Sequence, residues 1–150
     1  MQVKIRQGNK GDVAATLELI KELALFEKAP EQVITNVQQM IEDGFGQNPF
    51  YKLMVAEVNS EVVGIAVYFN KYSTWKGKGI YLDDIVIREN FRGKKIGSQL
   101  FEAVVEEARS TGCKQMHWQV LDWNEPAINF YKKYFNANFD PEWINCSINV

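Results

Sequence analysis

Apolar positions along the chain change their period several times, and each change marks a new element. The stretch "VKIR" (residues 3–6) alternates briefly and predicts a strand. In "GDVAATLELIKELALFEK" (11–28), Val13, Leu17, Ile20 and Ala24 recur at helical spacing, and Pro30 closes the run because it has no N–H to continue a helix. "TNVQQMIEDGFG" (35–46) predicts a shorter helix, with Thr35 and Gln38 spaced as a capping box and Gly44 as its stop. "YKLMVAEV" and "EVVGIAVYFN" are β-rich runs separated by the polar pair Asn59-Ser60, a hairpin signal. "YLDDIVI" (81–87) is a further strand. "IGSQLFEAVVEEARSTG" places Leu100, Val104 and Ala108 on one helical stripe and ends at Gly112. "QMHWQVL" (115–121) returns to a strand, "NEPAINFYKKY" starts a helix with Pro126 in its first turn, and "WINCSI" (143–148) alternates as a closing strand.

The predicted order is β-α-α-β-β-β-α-β-α-β, with no repeat or linker, which reads as one α/β domain over residues 1–150. "YLDDIVI", the glycine-flanked helix and "QMHWQVL" form a βαβ unit, whose strands run parallel through a right-handed crossover. Ligands of such sheets lie beyond the carboxyl ends of the strands, here residues 92–97.

Composition narrows the field. The chain has 150 residues, is 46% hydrophobic and carries a formal net charge of −2, so nothing favours nucleic acid or an anionic membrane surface as partner. No apolar run is long enough to span a bilayer, and "MQVKIRQGNKGD" lacks a signal-peptide core. Cys113 and Cys146 show no CxxC spacing, and His117 is the only histidine, so no metal site is expected. Unpaired thiols fit a reducing, cytoplasmic setting.

"NFRGKKIGSQL" (90–100) then raises the question of chemistry. It sets Arg92, Gly93, Lys94, Lys95 and Gly97 at a helix start, where free N–H groups and the positive end of the macrodipole receive anions. Neither GxxxxGK[ST] nor G-x-G-x-x-G occurs in the chain. Two readings remain: a loop whose amides hold a diphosphate, or a solvated basic loop that only starts a helix.

"RGKKIG" resembles the R/Q-x-x-G-x-G/A signature of the GNAT N-acetyltransferases, with Arg92 and Gly97 in place and Lys95 where the family has its first glycine. "LIKELALFEKAPEQV", "IEDGFGQNPFYKLMVAEV", "YLDDIVIRENFRGKKIGS" and "MHWQVLDWNEPAINFYKK" are similar to the diamine (spermidine/spermine) and thialysine N-acetyltransferase branch, almost from end to end. The resemblance implies a GNAT-type fold of the α/β (α+β) kind: a mixed, mostly antiparallel twisted sheet with a central parallel βαβ pair and helices on both faces. It also implies acetyl-CoA as co-substrate, a small amine as acceptor, and a homodimer.

The resemblance assigns residues as well. Gly93, Lys94, Lys95, Ile96, Gly97 and Ser98, with Arg92, would hold the diphosphate; Lys95 does so without strain only if its φ is negative. The backbone of Ile85, Val86 and Ile87 would pair with the pantetheine arm as an added strand does. Asn124, Pro126 and Ala127 would line the same arm, while Asn124 also reads as a plain N-cap. Asp83, standing where the family has glutamate, would take the amine proton through water; strict alternation keeps Asp83 and Asp84 from pointing equally into one site. Tyr131 would serve the departing thiolate, or belong to an aromatic helix face with Ile128 and Phe135. For the amine, the resemblance points to Phe26, Glu27, Trp75, Asp83, Asp84, His117, Trp118, Gln119, Trp123 and Glu142, acids and aromatic faces that suit a cation. His117 reads equally as an ordinary strand residue.

Ser73 and Thr74 replace the aspartate and proline of the polyamine enzymes, which turns the expectation toward shorter diamines or lysine-like amines. Two other functions fit the same residues: a non-catalytic acyl-CoA-binding module, and an acetyltransferase of protein lysines or N-termini.

Overall fold

Five strands order one sheet as β1 (Lys4–Gln7), β2 (Lys52–Val58), β3 (Glu61–Ser73), β4 (Gly77–Ile87) and β5 (Gln115–His117). The first three junctions are antiparallel, and β4 with β5 is the parallel pair, joined through the helix α3 (Ile96–Ser110). The computed structural model describes residues 1–150 as two compact units, Met1–Trp118 and Gln119–Val150. The sheet, α1 (Val13–Phe26), α2 (Val37–Phe45) and α3 make up the first unit.

The Asn59-Ser60 hairpin forms as its residues predict. Both residues have positive φ, +50° and +64°, which lets a two-residue turn follow the twist of β2 and β3. Helices cover both faces. Leu19 of α1 joins Leu53, Val55, Ile65, Val67 and Val86 in one buried cluster. On the other face, a Cβ at Gly64 would collide with the side chains of Ile87 and Leu100, so the glycine lets α3 lie close to the sheet. Arg6 ties β1 to the start of α1 through two bonds to Asp12 (2.8 and 3.0 Å), and to β2 through one to Glu57 (2.7 Å).

Several expectations change. The cap of α2 is Asn36, which accepts from the Gln39 N–H at 2.8 Å, and not Thr35. The helix also runs through Gly44, whose missing side chain leaves room for the Tyr51 ring, and ends at Gly46. β5 covers 115–117 and not 115–121, while 143–148 pair with no strand, so the parallel pair stands at the β5 end of the sheet. Alternation supplies a face but no partner for the ladder, and Trp143, Ile144 and Ile148 are exposed.

The β3–β4 register slips between Val67 and Tyr68, which pair with Asp84 and Leu82. Asp83 is the extra residue of a β-bulge, a device that re-aims side chains next to functional sites.

In the second unit, α4 (Glu125–Phe135) begins at Asn124, whose side chain accepts from the Ala127 N–H at 3.4 Å, with Pro126 in its first turn. Phe130 gathers the rings of Tyr131, Tyr134 and Phe135, and Asn136 ends the helix in the left-handed region.

Candidate active site

The start of α3 is an open anion cradle. Its first helical bond runs from the Gln99 N–H to the Lys95 carbonyl, and the N–H groups of Gly93 through Ser98 donate to no acceptor in the chain. Gly93 has φ +74° and nothing within 4 Å of where a Cβ would stand, so a ligand can approach its backbone. Arg92 donates from Nε to the Ile87 carbonyl at 3.0 Å, which fixes the loop to the end of β4. Lys94 lies over the Phe91 ring, the Ser98 hydroxyl bonds the Lys95 carbonyl at 2.9 Å, and the buried Ile96 anchors the turn. Six free donors at the positive end of a helix fit a diphosphate.

The same loop follows a free strand edge. β5 pairs with β4 only from Gly79 to Tyr81, so Ile85, Val86 and Ile87 have no strand partner on that side. The Val86 side chain is buried in the core, leaving its backbone as what it offers a ligand.

At the bulge the two carboxylates meet. Burial pushes the Asp84 carboxyl up to about 7, with the nearby charges of Asp83 and Glu27 adding to the effect. Asp83 keeps contact with solvent, yet crowding by protein atoms raises its carboxyl too, and desolvation does the same to Glu27. The Tyr81 phenol is raised by burial and then by both aspartates. Strict alternation predicts that Asp83 and Asp84 point apart; the bulge breaks it, and the two charges act on each other.

The remaining candidates divide. Phe26 at the end of α1 is half-exposed, and Trp75, between β3 and β4, is 91% exposed. Trp118 stands edge-on to Phe101 of α3 at 5.0 Å, which gives it a packing role. His117 has a buried Nδ1 without a partner, and its pKa is lowered by burial and then by Lys71 and Lys76. In the second unit, Asn124, Pro126 and Ala127 form the first turn of α4, Tyr131 is that helix's buried residue, and Gln119, Trp123 and Glu142 are exposed. Sequence reasoning missed the lysines around His117. A pocket is lined by Lys71, Ser73, Lys76, Lys78 and Lys114 with His117, and the visible signal was the lysine spacing in "KYSTWKGKG".

The profile of the Acetyltransferase (GNAT) family matches residues 16–136. Thialysine N-epsilon-acetyltransferase of Bos taurus is 44% identical over 138 residues, which is 87% of this chain and 81% of that protein. The chain belongs to the acetyltransferase (GNAT) family. It is an N-acetyltransferase. Spermidine/spermine N(1)-acetyltransferase-like protein 1 of Homo sapiens is 35% identical over 135 residues, 85% of this chain and 19% of that much longer protein. An integron cassette protein from the mobile metagenome of V. cholerae shares the fold, with a TM-score of 0.80 at 22% identity over 100% of this chain and 94% of that one.

As a GNAT acetyltransferase the chain departs from its family signature at Lys95. The negative φ that would let a lysine serve without strain is not what the structure adopts: Lys95 has φ +63° and ψ +16°, the left-handed region. An L side chain there costs about 1–2 kcal/mol. Lys95→Gly removes that strain, and the added freedom of the unfolded chain offsets about 0.4–1 kcal/mol of the gain. The expected result is a net stabilisation of about 0.5–1 kcal/mol, seen as a rise of about 1–4 °C in Tm by thermal unfolding. An unchanged or lower Tm would show that the turn holds lysine without strain.

Proposed function

We propose that this acetyltransferase transfers an acetyl group from acetyl-CoA to the primary amine of a small lysine-like amino acid, diamine or polyamine. The observation that carries this reading is the Asp83–Asp84 pair, with Asp84 raised to about 7 on the strand that leads to the anion cradle. The names of the thialysine and spermidine/spermine relatives support the substrate class. In this reading the two units form one catalytic domain, since the family profile runs through both. The family resemblance extends it to a cytoplasmic homodimer.

Acetyl-CoA is the family's co-substrate, and bound to the enzyme it supplies the thioester carbonyl. The N–H groups of residues 93–98 would hold its diphosphate. The free edge at Ile85–Ile87 would hold its pantetheine arm, and the family resemblance assigns Asn124, Pro126 and Ala127 to the same arm. An alkylammonium near pKa 10.4 is neutral in only about one molecule in a few thousand at pH 7, so the acceptor must lose a proton. The Asp83–Asp84 pair takes it, because a base poised near neutrality is both unprotonated often enough and basic enough. Glu27 offers a carboxylate, and Phe26, Trp75 and Trp123 offer rings, to the cationic chain. Tyr131 holds a proton at its phenol oxygen for the departing sulfur.

The test is a panel of amines (lysine, thialysine, ornithine, putrescine, spermidine) with acetyl-CoA, followed by thiol release. Amine-dependent release with at least one member is expected. Release no faster than that without amine would sink the reading.

A further inference from the structure

Registration of β3, β4 and β5 sorts charge along one face of the sheet. Val67 pairs with Asp84, Phe69 with Tyr81, Lys71 with Gly79, and Tyr81 in turn with His117, so these positions share a face. At one end of this row lie Asp84, Asp83 and Glu27. In the middle the rings of Phe69 and Tyr81 stack at 5.3 Å. At the other end Lys71 reaches back until its Nζ is 5.9 Å from the centre of the Tyr81 ring. Lys71, Lys76 and His117 line a small pocket at this end, while Lys78 is occupied with the Thr111 carbonyl at 2.7 Å. Within the first unit no carboxylate forms a salt bridge with Lys71 or Lys76. Both lysines are exposed, and the His117 Nδ1 is buried without a partner. Two cations with no acid of their own unit, beside an imidazole that donates from Nδ1 in one of its tautomers, suit an anionic acceptor.

We propose that Lys71, Lys76 and His117 form a carboxylate subsite, and that the preferred acceptors are amino acids whose carboxylate lies about six bonds from the reacting amine. This rests on the reading of the enzyme as a small-amine acetyltransferase. Spacing selects the ligand. The Tyr81 row is two residues along the sheet from the Asp84 row, about 7 Å. The six bonds from the terminal nitrogen of lysine to its carboxyl carbon span about 7 Å when extended. An ammonium among the acids thus sets a carboxylate beside the Lys71 ammonium, with the chain across the Phe69–Tyr81 stack. Long polyamines would place a cation against Lys71 and Lys76 instead, a like-charge mismatch that selects against them.

The experiment compares lysine with 1,5-diaminopentane, which is lysine without its carboxylate, at saturating acetyl-CoA. Wild-type enzyme should show the higher kcat/KM with lysine. In the Lys71→Ala, Lys76→Ala double variant the lysine-to-diamine ratio of kcat/KM should fall about tenfold, the effect of losing two solvent-touching ion pairs. Lys4→Ala, Lys10→Ala removes the same charge at distant sites, and its ratio should stay at the wild-type value. An equal fall in that control, or a ratio unmoved in the first variant while both amines turn over, overturns the subsite and leaves the acetyltransferase reading standing. Turnover of no amine overturns both.

Discussion

Asp84→Asn should lower kcat/KM about a hundredfold or more near pH 8 and remove the rising limb centred near pH 7 from the pH–rate profile. The magnitude is that of general base catalysis, about 10²–10⁴-fold. The position of the limb follows from the site: burial lifts Asp84 to about 7, and the charges of Asp83 and Glu27 hold it there. Asp83→Asn tests the coupling. Removing a neighbouring negative charge makes the Asp84 proton easier to lose, so the limb should move to lower pH and survive. A limb with its midpoint unmoved in both variants would assign the base elsewhere. Stability moves the opposite way. A carboxyl raised on folding stabilises fully below its unfolded pKa, and that contribution is lost as pH rises to about 7. Asp84→Asn escapes the loss, so by urea titration it should be more stable than wild type at pH 8 and gain less at pH 4. An inactive, more stable variant separates catalytic loss from unfolding, which a merely structural acid would not do.

What the sequence makes legible here is local. A capping asparagine and a proline in the first turn mark α4, Gly112 with φ +77° closes α3, and Asn59-Ser60 turns the hairpin; each signal lies within a few residues of what it specifies. The cradle at residues 93–98 is legible for the same reason, since glycines and a helix start stand side by side. Features set by pairing escape. An extra residue at Asp83 is invisible to alternation, because only the partner strand shows that Val67 and Tyr68 oppose Asp84 and Leu82. The lysines around His117 come together through register, with Lys71 opposite Gly79 and Gln115 beside it. Trp118, one residue past His117, turns to the other face and packs on Phe101, so adjacency in "MHWQ" misleads about its role. The "WINCSI" alternation describes a surface that pairs with no strand.

Tyr131→Phe should lower kcat about a hundredfold while changing the Kd for acetyl-CoA less than about threefold, since general acid catalysis contributes about 10²–10⁴-fold. Phenylalanine keeps the ring that meets Phe130 at 5.5 Å on α4 and deletes only the oxygen, so the helix and its Asn124 cap are expected to persist. Energetics define what the oxygen can do. A phenol near pKa 10 donating to a thiolate near 8.5 is uphill by about 2 kcal/mol, so a hydrogen bond to the sulfur carries as much of the effect as full proton transfer. An acetyl thioester of a more acidic thiol separates these contributions. Its sulfur departs with less need of a proton, so the variant should lose markedly less with it than with acetyl-CoA. Turnover measured with both donors and binding measured by calorimetry decide the matter: equal losses with the two donors would leave Tyr131 as a positioning residue, and unchanged kcat would remove it from the reaction.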